Sequence, residues 1–130
     1  MTKIFRYLLL SLSLLASGSA LAAQTTQSPF DMAKFDALNQ AGKPILVYIH
    51  ADWCPTCKAQ DPIINELLKT PALRDITALR VDFDHQKDVV RHFEVQYQST
   101  LIVFKGGREV GRSTGDTRKA SIAALLSRAI

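Results

Sequence analysis

The chain has 130 residues, of which 16 are Lys or Arg and 12 are Asp or Glu, giving a net charge of +4. With 47% apolar and 22% charged residues it reads as one globular domain, which excludes a disordered or collagen-like polymer. Residues 1–22 carry Lys3 and Arg6 and no acid, leaving 14 basic and 12 acidic residues, or +2, in the remainder. Such a balance, with no basic cluster interleaved with aromatics, excludes nucleic acid as a partner.

Lys3 and Arg6 open the chain, and Tyr7 to Leu15 is an apolar run too short to cross a bilayer as a helix of about 20 residues. Ala20-Leu21-Ala22 follows as a cleavage signal. The pattern predicts a signal peptide over residues 1–22 rather than an uncleaved anchor. No cysteine lies near the cut, so no stable membrane anchor is expected after cleavage. The compartment is then oxidising, a bacterial periplasm. Residues 23–29 read as a flexible leader and residues 30–130 as the folded domain.

Ser28-Pro29 reads as an N-cap with proline at the first helical position, followed by a helix with Phe30, Ala33, Ala37 and Leu38 on one face, ending at Gly42 and Pro44. Ile45 to His50 (ILVYIH) is a β-prone run suited to a central strand covered on both faces. A helix is expected from about Cys54 to Lys69, with Ile63, Ile64, Leu67 and Leu68 inward and a kink at Pro62. Ile76 to Phe83 predicts a strand and Asp84 to Phe93 a helix burying Val89, Val90 and Phe93. Thr100 to Phe104 and Arg108 to Arg112 predict a hairpin through Gly106-Gly107. Asp116 or Thr117 then caps a last helix presenting Ile122, Leu125, Leu126 and Ile130. The fold class is α/β, a central mixed sheet with a C-terminal antiparallel hairpin and helices on both faces. The near-match to a phosphate loop at Gly106, Gly111, Arg112 and Ser113 has Arg in place of Lys and lies across the hairpin, so the hairpin reading prevails.

Both cysteines fall in Ala51-Asp52-Trp53-Cys54-Pro55-Thr56-Cys57-Lys58, after a buried strand and at a helix start. A disulfide exchanger needs a thiolate, and a free cysteine with a pKa of about 8.5 is only about 3% ionised at neutral pH. Unpaired N–H groups and the dipole at a helix N-terminus favour the anion. Cys54 is therefore expected to be the exposed nucleophile and Cys57, one turn on, the inward resolving thiol. Pro55 suits the first turn, and Lys58, four residues after Cys54, is expected to lend positive charge to its sulfur. A structural disulfide would close too small a loop to restrict the unfolded chain. A zinc site lacks a second cysteine pair, and His50, His85 and His92 read as solvated surface residues, so no metal and no cofactor are expected.

The strand ILVYIH, the WCPTCK motif, Pro62, Val81 to Asp84, Ser99 to Gly107 and Gly115 together resemble the thioredoxin-like family across residues 30–130. WCPTC is similar to the motif of periplasmic thioredoxin-like reductases of cytochrome c maturation, and ADWC resembles the soluble domain of a membrane thiol–disulfide reductant. The resemblance implies a thioredoxin fold and protein-disulfide reductase activity. Its implied partners are protein thiols and disulfides, recharged by a membrane or periplasmic electron donor. It also implies that Gln98, Ser99 and Thr100 form a loop beside the cysteines that binds extended substrate.

Two positions depart from the family pattern. A cis-proline is usual where Ser99 stands, so the Gln98–Ser99 bond is expected either trans with a reshaped loop or cis and held by its surroundings, with a more open site. A buried Asp is frequent where Tyr48 stands. Tyr48 reads as a packing residue, and Asp61, four residues after Cys57, as a substitute base or a solvated acid. Trp53 reads equally as a partner contact or as packing. The predicted function is a monomeric periplasmic thiol–disulfide oxidoreductase cycling Cys54 and Cys57, reduction favoured. The alternative is a non-catalytic module of the same fold that binds metal or a protein client.

Overall fold

The computed structural model describes residues 26–130. The expected signal peptide lies outside the described residues. Strands β1 (Gln27–Pro29), β2 (Ile45–His50), β3 (Thr77–Asp82), β4 (Thr100–Lys105) and β5 (Arg108–Thr114) form one sheet in the order β1-β3-β2-β4-β5. The first three are parallel, while β4 runs antiparallel to β2 and β5 antiparallel to β4. Helices α1 (Met32–Gln40), α2 (Pro55–Leu67), α3 (Lys87–His92) and α4 (Lys119–Ser127) cover the two faces.

The central strand β2 buries all six of its side chains, as a run without polar alternation requires. Leu46 and Tyr48 point to the face covered by α2 and α4, where they meet Cys54, Cys57, Ile64 and Leu126. Ile45, Val47 and Ile49 point the other way, toward Phe35, Val89 and Phe93. On that second face the Phe93 ring meets Phe30 and Phe35 edge-on at 5.6 and 5.2 Å between centroids, a favoured quadrupole arrangement. Each fully buried aliphatic of β2 contributes about 1.5–3 kcal/mol, so this strand anchors the loop that follows it.

The N-terminal boundary differs from expectation. Residues 27–29 are not a loose leader but an edge strand in parallel register with Ala78, Leu79 and Arg80. Pro29 is tolerated because an edge strand needs no donor on its open side. The cap of α1 is Asp31, whose Oδ1 accepts from the Lys34 N–H at 2.8 Å, and not Ser28. The later start rotates the buried face: Phe35 is inside, whereas Ala33 and Ala37 are exposed.

α2 keeps its helical run through Pro62. α3 is shorter than predicted because Asp82 accepts from the N–H groups of Asp84 and His85 at 2.9 and 3.0 Å, forming a turn where the helix was expected. The α4 cap is Arg118, with the Asp116 carboxylate accepting its N–H at 3.0 Å, and Ile130 is exposed rather than inward. The hairpin turns on Gly106 and Gly107, both at positive φ (57° and 80°), the geometry a tight two-residue turn demands.

Replacing Asp31 with Ala is expected to cost about 1 kcal/mol, and Ser28→Ala less than about half of that. Urea denaturation midpoints check this, and the reverse ranking would return the cap to Ser28.

Candidate active site

Cys54 occupies the N-cap of α2, immediately after the loop from β2, with its N–H donated to the Ala51 carbonyl at 3.1 Å. Its Sγ accepts the N–H of Cys57 at 3.1 Å. One of the unpaired donors at the start of the helix is thus satisfied by a sulfur, the local arrangement that favours negative charge on that atom. Both cysteines are free thiols and both are buried, Cys54 with 1% of its surface exposed and Cys57 with none. The expectation of an exposed Cys54 fails because the N-cap geometry folds Sγ back over the first turn, into the core cluster with Tyr48 and Ala51. Nor is the site open.

Burial pushes the Cys57 thiol up to about 11, with the neighbouring Cys54 adding to the shift. Backbone groups of Ala51 and Ser99 oppose it. Ser99 is thus a neighbour of Cys57.

The Gln98–Ser99 bond is trans, since the described residues contain no cis peptide, and Ser99 sits in the left-handed region at φ 57°. A proline ring, locked near −65°, could not occupy this backbone. Three contacts hold it. Ser99 Oγ donates to the Gln98 carbonyl at 2.6 Å, and its own carbonyl accepts from Gly115 N–H at 2.9 Å and Gln60 Nε2 at 3.2 Å. Thr100 is buried beside it, its hydroxyl donated to Tyr97 O at 2.8 Å, whereas Gln98 is half-buried.

The Thioredoxin family model matches residues 22–128. The chain belongs to the thioredoxin family. The crystal structure of Trxlp from Edwardsiella tarda is similar over 77% of this chain and 97% of that one, at 40% identity and a TM-score of 0.75. Thioredoxin from Mycobacterium tuberculosis is 37% identical over 87 residues, 67% of this chain and 74% of that protein. Thioredoxin NaTrxh from Nicotiana alata shares 26% identity over 85% of this chain and 97% of its own, with a TM-score of 0.73. As a thioredoxin-family protein with a paired-cysteine motif, it is a thiol–disulfide oxidoreductase.

The remaining predicted residues divide. Pro55 is the first residue of α2 and exposed, and Thr56 is half-buried. Lys58 is exposed and makes no hydrogen bond to Cys54 Sγ: an N-cap residue has non-helical backbone, so the four-residue spacing does not stack the two side chains. Trp53 is 57% exposed and donates its indole N–H to Asp84 Oδ2 at 2.7 Å, which presents the ring to solvent beside the cysteines. Tyr48 packs, fully buried, with its hydroxyl donated to the Cys57 carbonyl at 3.0 Å. Burial and the Asp61 charge raise its pKa far out of the physiological range, so it carries no proton in exchange.

Asp61 is half-buried and hydrogen-bonded to no cysteine. Its Oδ2 lies 3.3 Å from His50 Nε2 and 3.6 Å from the Arg80 guanidinium. His50, expected at the surface, is only 5% exposed, because it closes the end of β2 beneath α2. Arg80 contacts both ring nitrogens, Nδ1 at 2.7 Å. A guanidinium only donates, so a ring whose two nitrogens both meet Arg80 must offer it an acceptor and is neutral. Sequence reasoning missed Arg80, Asp84 and Gln60; alternation in β3 marks Arg80 as a polar interruption of an apolar strand, and nothing in the sequence marks the other two. The cavity of about 670 Å³ lined by His50, Arg80, Asp82 and His85 contains neither sulfur.

Burial and the Arg80 charge lower the His50 pKa, against the opposing charges of Asp61 and Asp52. Unfolding then takes up a proton below about pH 6.5 that the native state refuses. Unfolding free energy is expected to fall as pH drops below that value, with a shallower slope in His50→Gln. Urea melts from pH 8 to pH 5 read it; an identical slope in the variant contradicts the neutral buried ring.

Proposed function

We propose that the protein is an exported thiol–disulfide oxidoreductase that reduces disulfides in client proteins of the periplasm, with Cys54 as nucleophile and Cys57 as resolving thiol. The observation that carries this reading is the Cys57 N–H donated to Cys54 Sγ at the head of α2. The Cys54 thiolate attacks one client sulfur, the client S–S bond breaks, and the departing client thiolate takes a proton. Cys57 then loses its proton and attacks Cys54 Sγ, the mixed disulfide breaks, and the second client thiolate leaves. Two electrons pass to the client, and the protein is left with a Cys54–Cys57 disulfide, which a membrane or periplasmic dithiol donor reduces again.

Two features support reduction as the favoured direction. WCPTC resembles the motif of periplasmic reductases. Burial also disfavours a Cys57 anion, so the dithiol form gains no stability from it and gives up its electrons more readily. Export is supported by Lys3, Arg6, the apolar run and Ala20-Leu21-Ala22. Exposed Trp53 and Tyr97 flank the loops around the pair and suit a protein client.

In cells expressing the full chain, Cys57→Ser is expected to accumulate mixed disulfides through Cys54, in the periplasmic fraction and on a chain beginning at Ala23. Cys54→Ser is expected to lose exchange by about three orders of magnitude. Trapping by Cys54→Ser instead would reverse the two roles. Complexes confined to the cytoplasmic fraction would overturn export.

A further inference from the structure

Trp53, the single tryptophan of the chain, stands directly before Cys54 with 57% of its surface exposed. Among the described residues its side chain makes one hydrogen bond, from the indole N–H to Asp84 Oδ2 at 2.7 Å, across 31 residues of sequence. An exposed side chain without such a tether changes rotamer in picoseconds to nanoseconds. Ordering it when a partner binds then weakens the binding. The orientation of Trp53 therefore depends on where the Asp84 carboxylate is held.

Asp84 is exposed, in the turn between β3 and α3, and Asp82 is the residue that fixes its backbone. Asp82 Oδ1 accepts the N–H groups of Asp84 and His85 at 2.9 and 3.0 Å, and Oδ2 meets His85 Nδ1 at 2.9 Å. Aspartate suits this turn because its short side chain reaches a backbone N–H two residues on. The ends of the turn are paired without that carboxylate. Phe83 N–H donates to the His50 carbonyl at 2.9 Å and Gln86 N–H to the Asp82 carbonyl at 2.9 Å. The Asp82 N–H itself donates to Gln86 Oε1 at 2.9 Å. Loss of the Asp82 carboxylate thus frees the tip at Asp84 and leaves the ends of the turn in place.

We propose that Asp82 is a positioning residue for client docking: it fixes the turn that carries Asp84, and through Asp84 it holds the Trp53 ring in place beside Cys54 before the client arrives. The inference rests on the reduction of protein clients proposed above, with Trp53 as a client contact. Because the indole N–H is already taken, the ring offers the client its face and not a donor. Asp82 touches neither sulfur, so its effect falls on binding and not on the exchange of sulfurs.

The test compares variants of the whole chain. Asp82→Ala removes the acceptor, Asp82→Glu keeps the charge on a longer side chain, and Asp82→Asn keeps an acceptor for both N–H groups. Asp84→Ala removes the indole partner directly. Time-resolved fluorescence anisotropy reads the single tryptophan without any client. In Asp82→Ala and Asp82→Glu the fast local rotation of Trp53 is expected to gain about twofold in amplitude, as in Asp84→Ala, while Asp82→Asn matches the parent. With insulin as the disulfide-bonded probe, KM is expected to rise about fivefold in Asp82→Ala and Asp82→Glu, with kcat changed by less than about twofold. Adding Asp82→Ala to Asp84→Ala is expected to move neither reading further, because the first residue acts through the second. Parental anisotropy in Asp82→Ala overturns the proposal, as do additive effects in the double variant or a loss confined to kcat. An Asp82→Asn variant that behaves as Asp82→Ala also overturns it. Failure of both Asp82→Ala and Asp82→Glu to fold does the same, leaving Asp82 a purely architectural residue. If the parent itself reduces nothing, the proposed function falls, and the anisotropy still decides whether Asp82 holds Trp53.

Discussion

The hydrogen bond from the Cys57 N–H to Cys54 Sγ is the contact around which the molecule is arranged. A helix leaves its first N–H groups without intrahelical partners, and the cap must supply an acceptor. Here the acceptor is the sulfur itself. For that to work, α2 has to begin at one defined residue, at the end of a strand that cannot slide. β2 meets the second requirement by burying all six side chains between two helical layers and pairing on both edges. Cys54 N–H, donated to the Ala51 carbonyl, closes the short loop between strand and helix.

Two consequences follow from placing the pair against the sheet. Tyr48 and Cys57 share the α2 face, so a hydroxyl stands where the family often has a carboxyl, and it is spent on the Cys57 carbonyl. The ionisable groups of this region lie two residues further along the strand, in the His50–Asp61–Arg80 cluster at the end of β2. Ser99 is the second consequence. Without a proline ring the loop stays trans and enters the left-handed region, and its carbonyl is tied down by Gln60 and Gly115. Ser99 also carries the backbone N–H that a proline lacks.

What could be read in the sequence was local or periodic. The unbroken run ILVYIH identifies a doubly covered strand, Gly106-Gly107 a tight hairpin, and the cysteine pair after a strand the site. What escaped required partners distant in the chain. Strand β1 is three residues long and holds a proline; only its register with residues 78–80 makes it a strand. The α1 cap was misplaced because Ser28-Pro29 and Asp31 both satisfy the local rule, and pairing of the former with β3 decides between them. α3 lost its first residues to an Asp82 turn that competes with the helix for the same N–H groups. Nothing local singles out Gln60, whose amide partners lie in two loops 39 and 56 residues away.

The most direct test of the account equilibrates the whole chain against graded ratios of reduced to oxidised dithiothreitol, counting free thiols by alkylation and mass. Cys54 and Cys57 are expected to disappear together in one two-electron transition, yielding an internal disulfide that fully reverses. Independent titration of the two thiols, or retention of both at the oxidising extreme, would contradict it.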